Sequence, residues 1–279
     1  MIEDVATMTD ILLNAVIASI LSAILFGILG SLVSVRRIAS LAGAISHAVL
    51  GGIGMAVFFS VSGRIPFFTP LAGAFLFAIL SALIIFFVST KSKQREDTVI
   101  NAVWAIGMSI GVLFMAKTPG YTDPSSYLFG NILLITKMDL LLLAILDLIV
   151  LFLAWLFYPQ ILSASFDESF ARVRGVKTEL VFFVLLIIIA ISVVLLQTFV
   201  GLVMVIAMLT LPSGTASYMA KSLSSMMVFA SIFSLLFSLS GLALSWTLDL
   251  PSGAVTVVFA GFVFLLFTLF HFISKKRRT

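Results

Sequence analysis

Long apolar runs separated by short polar segments dominate the chain. The stretch "LVFFVLLIIIAISVVLL" (180–196) contains one polar residue, and several other runs are similar in length and character. About 20 mainly apolar residues suffice to cross a bilayer as a helix. The runs do not alternate polar and apolar residues, which excludes the strands of a membrane barrel. The pattern predicts an all-α polytopic membrane protein with nine candidate spans, at 11–33, 39–60, 68–89, 98–116, 138–158, 180–197, 199–219, 225–246 and 253–273.

The least certain boundary in this pattern lies between the sixth and seventh candidate spans. The segment "LLQTFVGL" (195–202) leaves only a few residues for a turn. An alternative with eight spans, in which the chain fuses or re-enters at this point, therefore stays open.

Composition supports a membrane protein and removes several kinds of chemistry. The chain is 62% hydrophobic and 10% charged, with mean hydropathy +1.27, whereas soluble domains carry about 25% charged residues. There are no cysteines, so disulfides and thiolate metal ligands are excluded. The acidic start "MIEDVATMTD" has no basic segment, and we expect no cleavable signal peptide. The basic residues lie in loops and at the C-terminus, so no nucleic-acid partner is expected.

The distribution of basic residues predicts an orientation. With the N-terminus outside, one set of loops holds 13 of the 16 Lys and Arg residues and the other holds 3. Because basic residues favour the cytoplasmic side, the pattern predicts N-out and C-in. The cytoplasmic set comprises Arg36, Arg37, Lys91, Lys93, Arg95, Arg172, Arg174, Lys177, Lys221, Lys275, Lys276, Arg277 and Arg278.

One charged segment, "SFDESFARVRG" (165–175), stands out between apolar runs and lies on the predicted cytoplasmic side. Ser165 followed by Glu168 fits a capping box, and Gly175 fits a C-terminal stop, so we expect a short helix. Its residues Phe166, Phe170 and Val173 would form one apolar edge. Such a helix either rests on the membrane surface or docks into another protein.

Four stretches together resemble the permease subunits of ABC importers for zinc and manganese. They are "RRIASLAGAISHAVLGGIGMA" (36–56), "FDESFARVRGV" (166–176), "VGLVMVIAMLTLPSGTASYMA" (200–220) and "LDLPSGAVTVV" (248–258), in the family's order. The resemblance implies a single permease domain over 1–279 and a coupling helix at about 165–175. The coupling residues that it implies are Asp167, Glu168, Ala171 and Gly175.

The resemblance also implies what the permease works with. Its partners would be a separate ATPase subunit, an extracytoplasmic metal-binding protein and a second permease, identical or paralogous. The chain contains no G-x-x-x-x-G-K-[ST] motif, so ATP hydrolysis is assigned to the partner and the chain is not an enzyme. Zinc or manganese would be the transported substrate, with no permanently bound cofactor. The expected location is the cytoplasmic (inner) membrane of a bacterium or archaeon.

His47 is the first candidate for contact with the metal. It lies eight residues into the second span, about 12 Å along a helix. Gly43, Gly51 and Gly54 share its face, which predicts close approach of a neighbouring helix and room for the imidazole. Many members of the family have an Asp where this chain has Gly43, so one protein ligand is missing from the expected pair. Other spans or a second copy would have to complete the site, or else binding is weak and transient.

Three further positions are candidates for function. Asp147 lies within the fifth span, where an unpaired carboxylate is costly, and is a weaker metal candidate. Gly201 and Pro212 interrupt the seventh span; Pro212 either kinks the helix or follows its end at Leu211. A kink there would suit gating.

Other classes of function remain open from sequence. A transporter driven by an ion gradient predicts several buried charges and an inverted repeat, and the chain offers Asp147, His47 and no clear repeat. A membrane scaffold that only docks a partner would leave the glycine and histidine face unexplained. A siderophore or cobalamin permease is a nearer rival, although those chains are usually longer.

Overall fold

The computed structural model describes residues 2–91, 96–120, 125–130 and 132–276. Within these ranges the ordered elements are helices, and no strand occurs in the described residues. Lys93, Arg95, Arg277 and Arg278, which contribute to the predicted charge asymmetry, lie outside them. The helices are α1 (Ile2–Val35), α2 (Ala39–Val61), α3 (Pro70–Lys91), α4 (Glu96–Lys117), α5 (Ser125–Phe129), α6 (Lys137–Leu156), α7 (Tyr158–Phe166), α8 (Glu168–Val173), α9 (Thr178–Val200), α10 (Leu202–Ser217), α11 (Leu223–Leu248) and α12 (Ser252–Lys276), with a 3₁₀ turn at Ile132–Leu134.

Eight of the described helices are long and apolar enough to cross a membrane. They are α1, α2, α3, α4, α6, α9, α11 and α12, which confirms the all-α polytopic fold. A helix also occupies the ninth predicted position, but α10 has 16 residues and falls short of a full span. One residue, Gly201, separates α9 from α10, at the seam where the sequence pattern was weakest. The orientation of the chain in the membrane stays a prediction.

Contacts divide the chain into two compact units. The first contains Met1–Arg36, Phe129–Tyr158 and Phe199–Thr279, so it is assembled from three separated segments. Within it, α1 packs against α6, α10 and α11, and α10, α11 and α12 pack against one another. The hydroxyl groups of Ser34 and Ser213 are 2.6 Å apart and join α1 to α10.

The second unit contains Arg37–Leu128 and Pro159–Thr198. Its centre is α2, most of whose residues are buried although the helix is long enough to span a membrane. On one side α2 lies against α3, where the backbones at Gly52 and Gly73 touch, so that a Cβ on either glycine would overlap the other backbone. On the other side it lies against α4. A helix that is apolar on all sides is expected in such a central position.

Pro212 lies inside α10, which continues to Ser217. The alternative in which the helix ends at Leu211 is therefore wrong. Hydroxyl groups around the proline bond to carbonyls of the preceding turn: Thr215 donates to Leu211 at 2.8 Å, and Ser213 donates to Leu209 at 3.2 Å. These hydroxyls add hydrogen bonds to the helix on either side of the proline, which lacks a backbone N–H.

Candidate transport and docking sites

The face of α2 that carries His47 is closely packed against α4. A Cβ on Gly51 would lie 2.6 Å from the carbonyl oxygen of Gly107, and one on Gly54 would overlap the backbone of Gly111. A Cβ on Gly107 would lie 2.5 Å from the Cα of Ala48. Small residues on both helices therefore bring the two backbones together, as in other membrane helix pairs.

Close packing at these glycines brings His47 against the indole of Trp104 on α4. The two ring centroids are 4.3 Å apart, and the ring planes differ by 12°, so the rings are stacked face to face. His47 is partly buried. Its Nδ1 is buried and makes no hydrogen bond to any described residue. The imidazole is thus held by a ring contact on its face, and no polar contact fixes Nδ1.

Gly43, one helical turn before His47, differs from the other glycines of this face. It is buried, yet a Cβ added there would meet nothing within 4 Å. The backbone position one turn before the imidazole therefore has room for a side chain, and the family resemblance implied a carboxylate there. The predicted close approach occurs at Gly51 and Gly54 and not at Gly43.

No group of three or more His, Asp or Glu side chains that could hold a metal ion occurs in the part of the chain that the structure describes. His47 belongs to the second unit and Asp147, on α6, to the first. Asp147 is only 3% exposed, and neither of its carboxylate oxygens hydrogen-bonds to a described residue. Within the part of the chain that the structure describes, His47 and Asp147 are therefore separate candidates and not members of one group of ligands.

The charged segment at 165–175 is a helix junction, and the predicted capping residue was wrong. Ser165 lies inside α7, where its hydroxyl donates to the carbonyl of Ile161 at 2.6 Å. The N-cap of α8 is Asp167, whose carboxylate accepts from the N–H of Phe170 at 2.9 Å. The residues from Tyr158 onward already form a helix, so Ser165 cannot take the extended backbone that an N-cap requires.

Gly175 ends α8 as expected. Its φ is +81°, and its N–H donates to the carbonyl of Arg172 at 3.0 Å. The N–H of Val176 donates to the carbonyl of Ala171, also at 3.0 Å. These two bonds form a Schellman motif, which needs a left-handed residue at the position of Gly175. Ala171 is fully buried in the same turn, so a larger side chain would not fit without movement.

Glu168 and Arg172 connect α8 to the start of α9. They form an ion pair at 2.7 Å, and both also bond to the hydroxyl of Thr178. Arg172 Nε donates to Thr178 Oγ1 at 3.0 Å, and that hydroxyl donates to Glu168 at 3.1 Å. Thr178 is buried, so this small network is anchored at the first residue of α9.

Three apolar side chains are exposed at this junction, beside the exposed charged residues of the segment: Phe166 at the end of α7, and Phe170 and Val173 on α8. Phe166, Phe170 and Val173 are 69%, 51% and 88% exposed. The guanidinium of Arg174 lies 4.9 Å from the ring of Phe170, in a cation–π contact. We call Phe166, Phe170 and Val173 the docking face. The four residues singled out by family resemblance shape the turn, and the docking face is made by their neighbours.

Gly201 has a structural reason for its identity. Its φ is +83°, and a Cβ there would overlap the backbone of Phe129 and Gly130 in the first unit. The glycine therefore both permits the sharp turn between α9 and α10 and allows the close approach of another segment.

Sequence reasoning missed Trp104 and Thr178. Trp104 contacts His47, which lies far away in sequence, so local patterns carry no signal for that contact. Thr178 bonds to residues 6 and 10 positions earlier, across the turn between α8 and α9, which the helical spacing of the segment does not describe. The α4 side of the helix pair did carry a sequence signal. Gly107 and Gly111 form the small-x-x-x-small pattern that is typical of closely packed membrane helices.

The described helices, eight of them long and apolar enough to cross a membrane, are those of a polytopic membrane protein, and the family match assigns the chain to the permeases, the membrane subunits of ABC transporters. The chain belongs to the ABC 3 transport family, which matches residues 8–271. The family supplies the membrane component of the transporter and is not enzymatic. The resemblance predicted from the four sequence stretches is thereby confirmed.

Relatives cover nearly the whole chain. A protein of Listeria monocytogenes named manganese transport system membrane protein MntC is 35% identical, over 95% of this chain and 94% of its own. A probable metal transport system membrane protein of Chlamydia trachomatis is 35% identical, over 90% and 86%. The solved structure of PsaBC from Streptococcus pneumoniae in complex with Fab matches with a TM-score of 0.80 and 29% identity, over 96% of this chain and 95% of that one.

Proposed function

We propose that this chain is the permease of an ABC importer for a divalent transition metal, manganese or zinc. The observation that carries the proposal is the form of α8: internal contacts fix its shape while its apolar docking face remains exposed. An exposed apolar helix edge beside the membrane suits a groove on a partner protein. The chain has no P-loop, so that partner supplies the ATP hydrolysis.

The assembly that follows has three kinds of partner. An ATPase subunit receives the docking face on the cytoplasmic side, and a metal-binding protein delivers the cation outside. A second permease, identical or paralogous, completes the pathway, as the family resemblance implies. The location is the cytoplasmic membrane of a bacterium or archaeon. No resident cofactor is required, because the metal is the cargo.

His47 is the residue that we assign to contact with the metal. A partly buried imidazole beside open space at Gly43 can bind a cation entering from that side. A metal ion held by one nitrogen ligand and few other protein ligands is bound weakly and transiently, which suits a permease that must release its cargo. Manganese is placed before zinc because relatives such as the Listeria protein are named for manganese transport. Asp147 remains the weaker candidate.

Docking is tested by co-purification of the ATPase encoded beside this chain. Val173→Asp places a carboxylate at the most exposed residue of the docking face without removing any contact of the Glu168 network, and we expect it to abolish the complex. Val61→Asp is the matched control, since Val61 is an exposed helix-terminal valine on the predicted outer side. Equal complex formation by both variants would contradict the docking assignment.

The metal assignment is tested by uptake of Mn²⁺ and Zn²⁺ in cells that express the chain with its ATPase. His47→Ala is expected to abolish uptake, whereas His271→Ala, at the exposed second histidine, retains it. Uptake that continues with a hydrolysis-deficient ATPase would favour a transporter driven by an ion gradient instead.

A further inference from the structure

His47 lacks the support that metal-binding histidines usually have. In most metal sites the second ring nitrogen donates to a carboxylate or carbonyl, and this bond fixes the orientation of the ring. Here Nδ1 is buried and has no hydrogen-bond partner among the described residues. Something else must hold the imidazole if it is to meet a cation in a defined direction.

The only ring that the described part of the chain stacks on this imidazole is the indole of Trp104. The centroid separation of 4.3 Å and the angle of 12° describe extensive face-to-face contact. A contact on the ring face involves neither ring nitrogen, although Nδ1 is buried at the edge of the ring. The stack therefore orients the plane of the imidazole without occupying either possible ligand atom.

The position of Trp104 argues against an ordinary role at the membrane surface. Tryptophans of membrane proteins concentrate at the two interfaces. Trp104 lies eight residues after the start of α4, about 12 Å along the helix. His47 lies the same number of residues after the start of α2. Both residues thus lie about two turns inside their helices, away from the ends where interfacial tryptophans concentrate, and part of the indole surface is covered by His47.

The glycines of the two helices make the stack possible. Gly107 lies one turn after Trp104, and its missing side chain lets α4 approach α2 at Ala48, next to His47. A wider helix separation would carry the indole away from the imidazole. The contact is therefore built into the helix pair and does not depend on the rotamer of Trp104 alone.

We propose that Trp104 is a positioning residue for metal transport: its indole orients the imidazole of His47 in place of the missing hydrogen bond. This inference rests on the proposed function of His47. Stacking resists rotation about the Cβ–Cγ bond, which would turn the imidazole out of the plane parallel to the indole. The contact lies on the ring face, so it orients the ligand without occupying a ring nitrogen.

The first test compares kinetics of Mn²⁺ uptake by the full chain with its ATPase. Trp104→Leu removes the aromatic face and is expected to raise KM about 10- to 100-fold, the usual loss for a residue that supports a metal ligand. The maximal rate changes much less. Trp104→Phe keeps a stacking face and restores KM to within a few-fold of the original. Trp246→Leu, at another partly exposed tryptophan, is the matched control and leaves KM unchanged.

A second measurement does not depend on transport and does not require a variant at Trp104. The chain has three tryptophans, so replacing Trp155 and Trp246 by Phe leaves Trp104 as the only indole. Addition of Mn²⁺ to this purified protein is expected to change the emission of Trp104. The same addition to the protein that also carries His47→Ala is expected to leave the emission unchanged.

The outcomes separate this inference from the proposed function. If His47→Ala retains full uptake, the assignment of the metal contact fails, and the role of Trp104 fails with it. If His47→Ala abolishes uptake while Trp104→Leu leaves KM unchanged, only the positioning role is overturned. It is also overturned if Trp104→Phe is as defective as Trp104→Leu, or if Mn²⁺ leaves the emission of Trp104 unchanged in a protein that transports the metal.

Discussion

Gly107→Ala tests whether the α2–α4 contact has the closeness that the structure gives it. The added Cβ would lie 2.5 Å from the Cα of Ala48 and 2.9 Å from its Cβ. Ordinary van der Waals contact begins at 3.4 Å. The helices would have to separate by about 0.9 Å at this point, because neither atom belongs to a flexible side chain that could turn away.

The energetic cost follows from this overlap. Overpacking by a methyl group in a well-packed interior typically costs about 1–3 kcal/mol. Gly43→Ala is the matched control, since its Cβ would meet nothing within 4 Å. Both substitutions gain the same helix propensity, about 0.5–1 kcal/mol over glycine. The difference between the two variants therefore isolates the clash.

The assay heats the purified chain in detergent and determines the apparent thermal midpoint from the loss of monodisperse protein. We expect the midpoint of Gly107→Ala to lie several degrees below that of Gly43→Ala, at about 2–4 °C per kcal/mol. The same variant should also reduce Mn²⁺ uptake, because it moves Trp104 away from His47. Equal midpoints for the two variants would refute the close packing and remove the basis for the stacked rings.

Three further predictions concern the docking segment and the buried carboxylate. Thr178→Val removes the hydroxyl that bonds to both Glu168 and Arg172. In liposomes we expect the ATPase still to bind and to hydrolyse ATP, while the amount of metal taken up per ATP hydrolysed falls several-fold. An unchanged amount of metal per ATP would contradict this prediction. Gly175→Ala places a side chain on a residue with φ +81°, which strains the backbone by about 1–2 kcal/mol. We expect it to weaken ATPase binding about tenfold in a titration. Gly63→Ala is the control: it introduces similar strain at φ +71° in another loop and should leave ATPase binding unchanged. Asp147→Asn should raise the thermal midpoint, because it removes a buried carboxylate that has no hydrogen-bond partner among the described residues. It should also lower metal uptake. A raised midpoint with full uptake would eliminate Asp147 as a metal candidate.

Hydropathy located every long helix but could not decide how the seam between α9 and α10 is built. The sequence shows only that few polar residues occur there. The break at Gly201 depends on a left-handed backbone and on the approach of Phe129 and Gly130, which lie far away in sequence. The length of α10 then follows from where α9 ends. A pattern of apolar residues contains neither piece of information.

The docking segment shows where local signals succeed and where they compete. Gly175 was predicted as the stop, because a glycine at this position has a specific backbone role in the Schellman motif. Ser165 and Asp167 both fit an N-cap by residue type, and the choice between them depends on where the preceding helix ends. Since α7 runs to Phe166, only Asp167 is free to take the extended conformation. Phe166, Phe170 and Val173 are exposed, but Phe166 ends α7 and the extended Asp167 separates it from α8, so the predicted continuous edge on one helix is not formed.

The two candidate sites belong to one compact unit, and packed contacts connect them. Thr178 ties α8 to the start of α9, and on α9 the ring of Phe183 lies 5.0 Å from that of Phe86 on α3. The backbone of α3 in turn touches α2 at Gly73 and Gly52, in the helix that carries the imidazole. Coupling between distant sites requires such a contiguous network with more than one arrangement. We therefore expect a push on the docking face to move α9, α3 and α2 together, and the Thr178→Val experiment measures whether uptake depends on the first of these contacts.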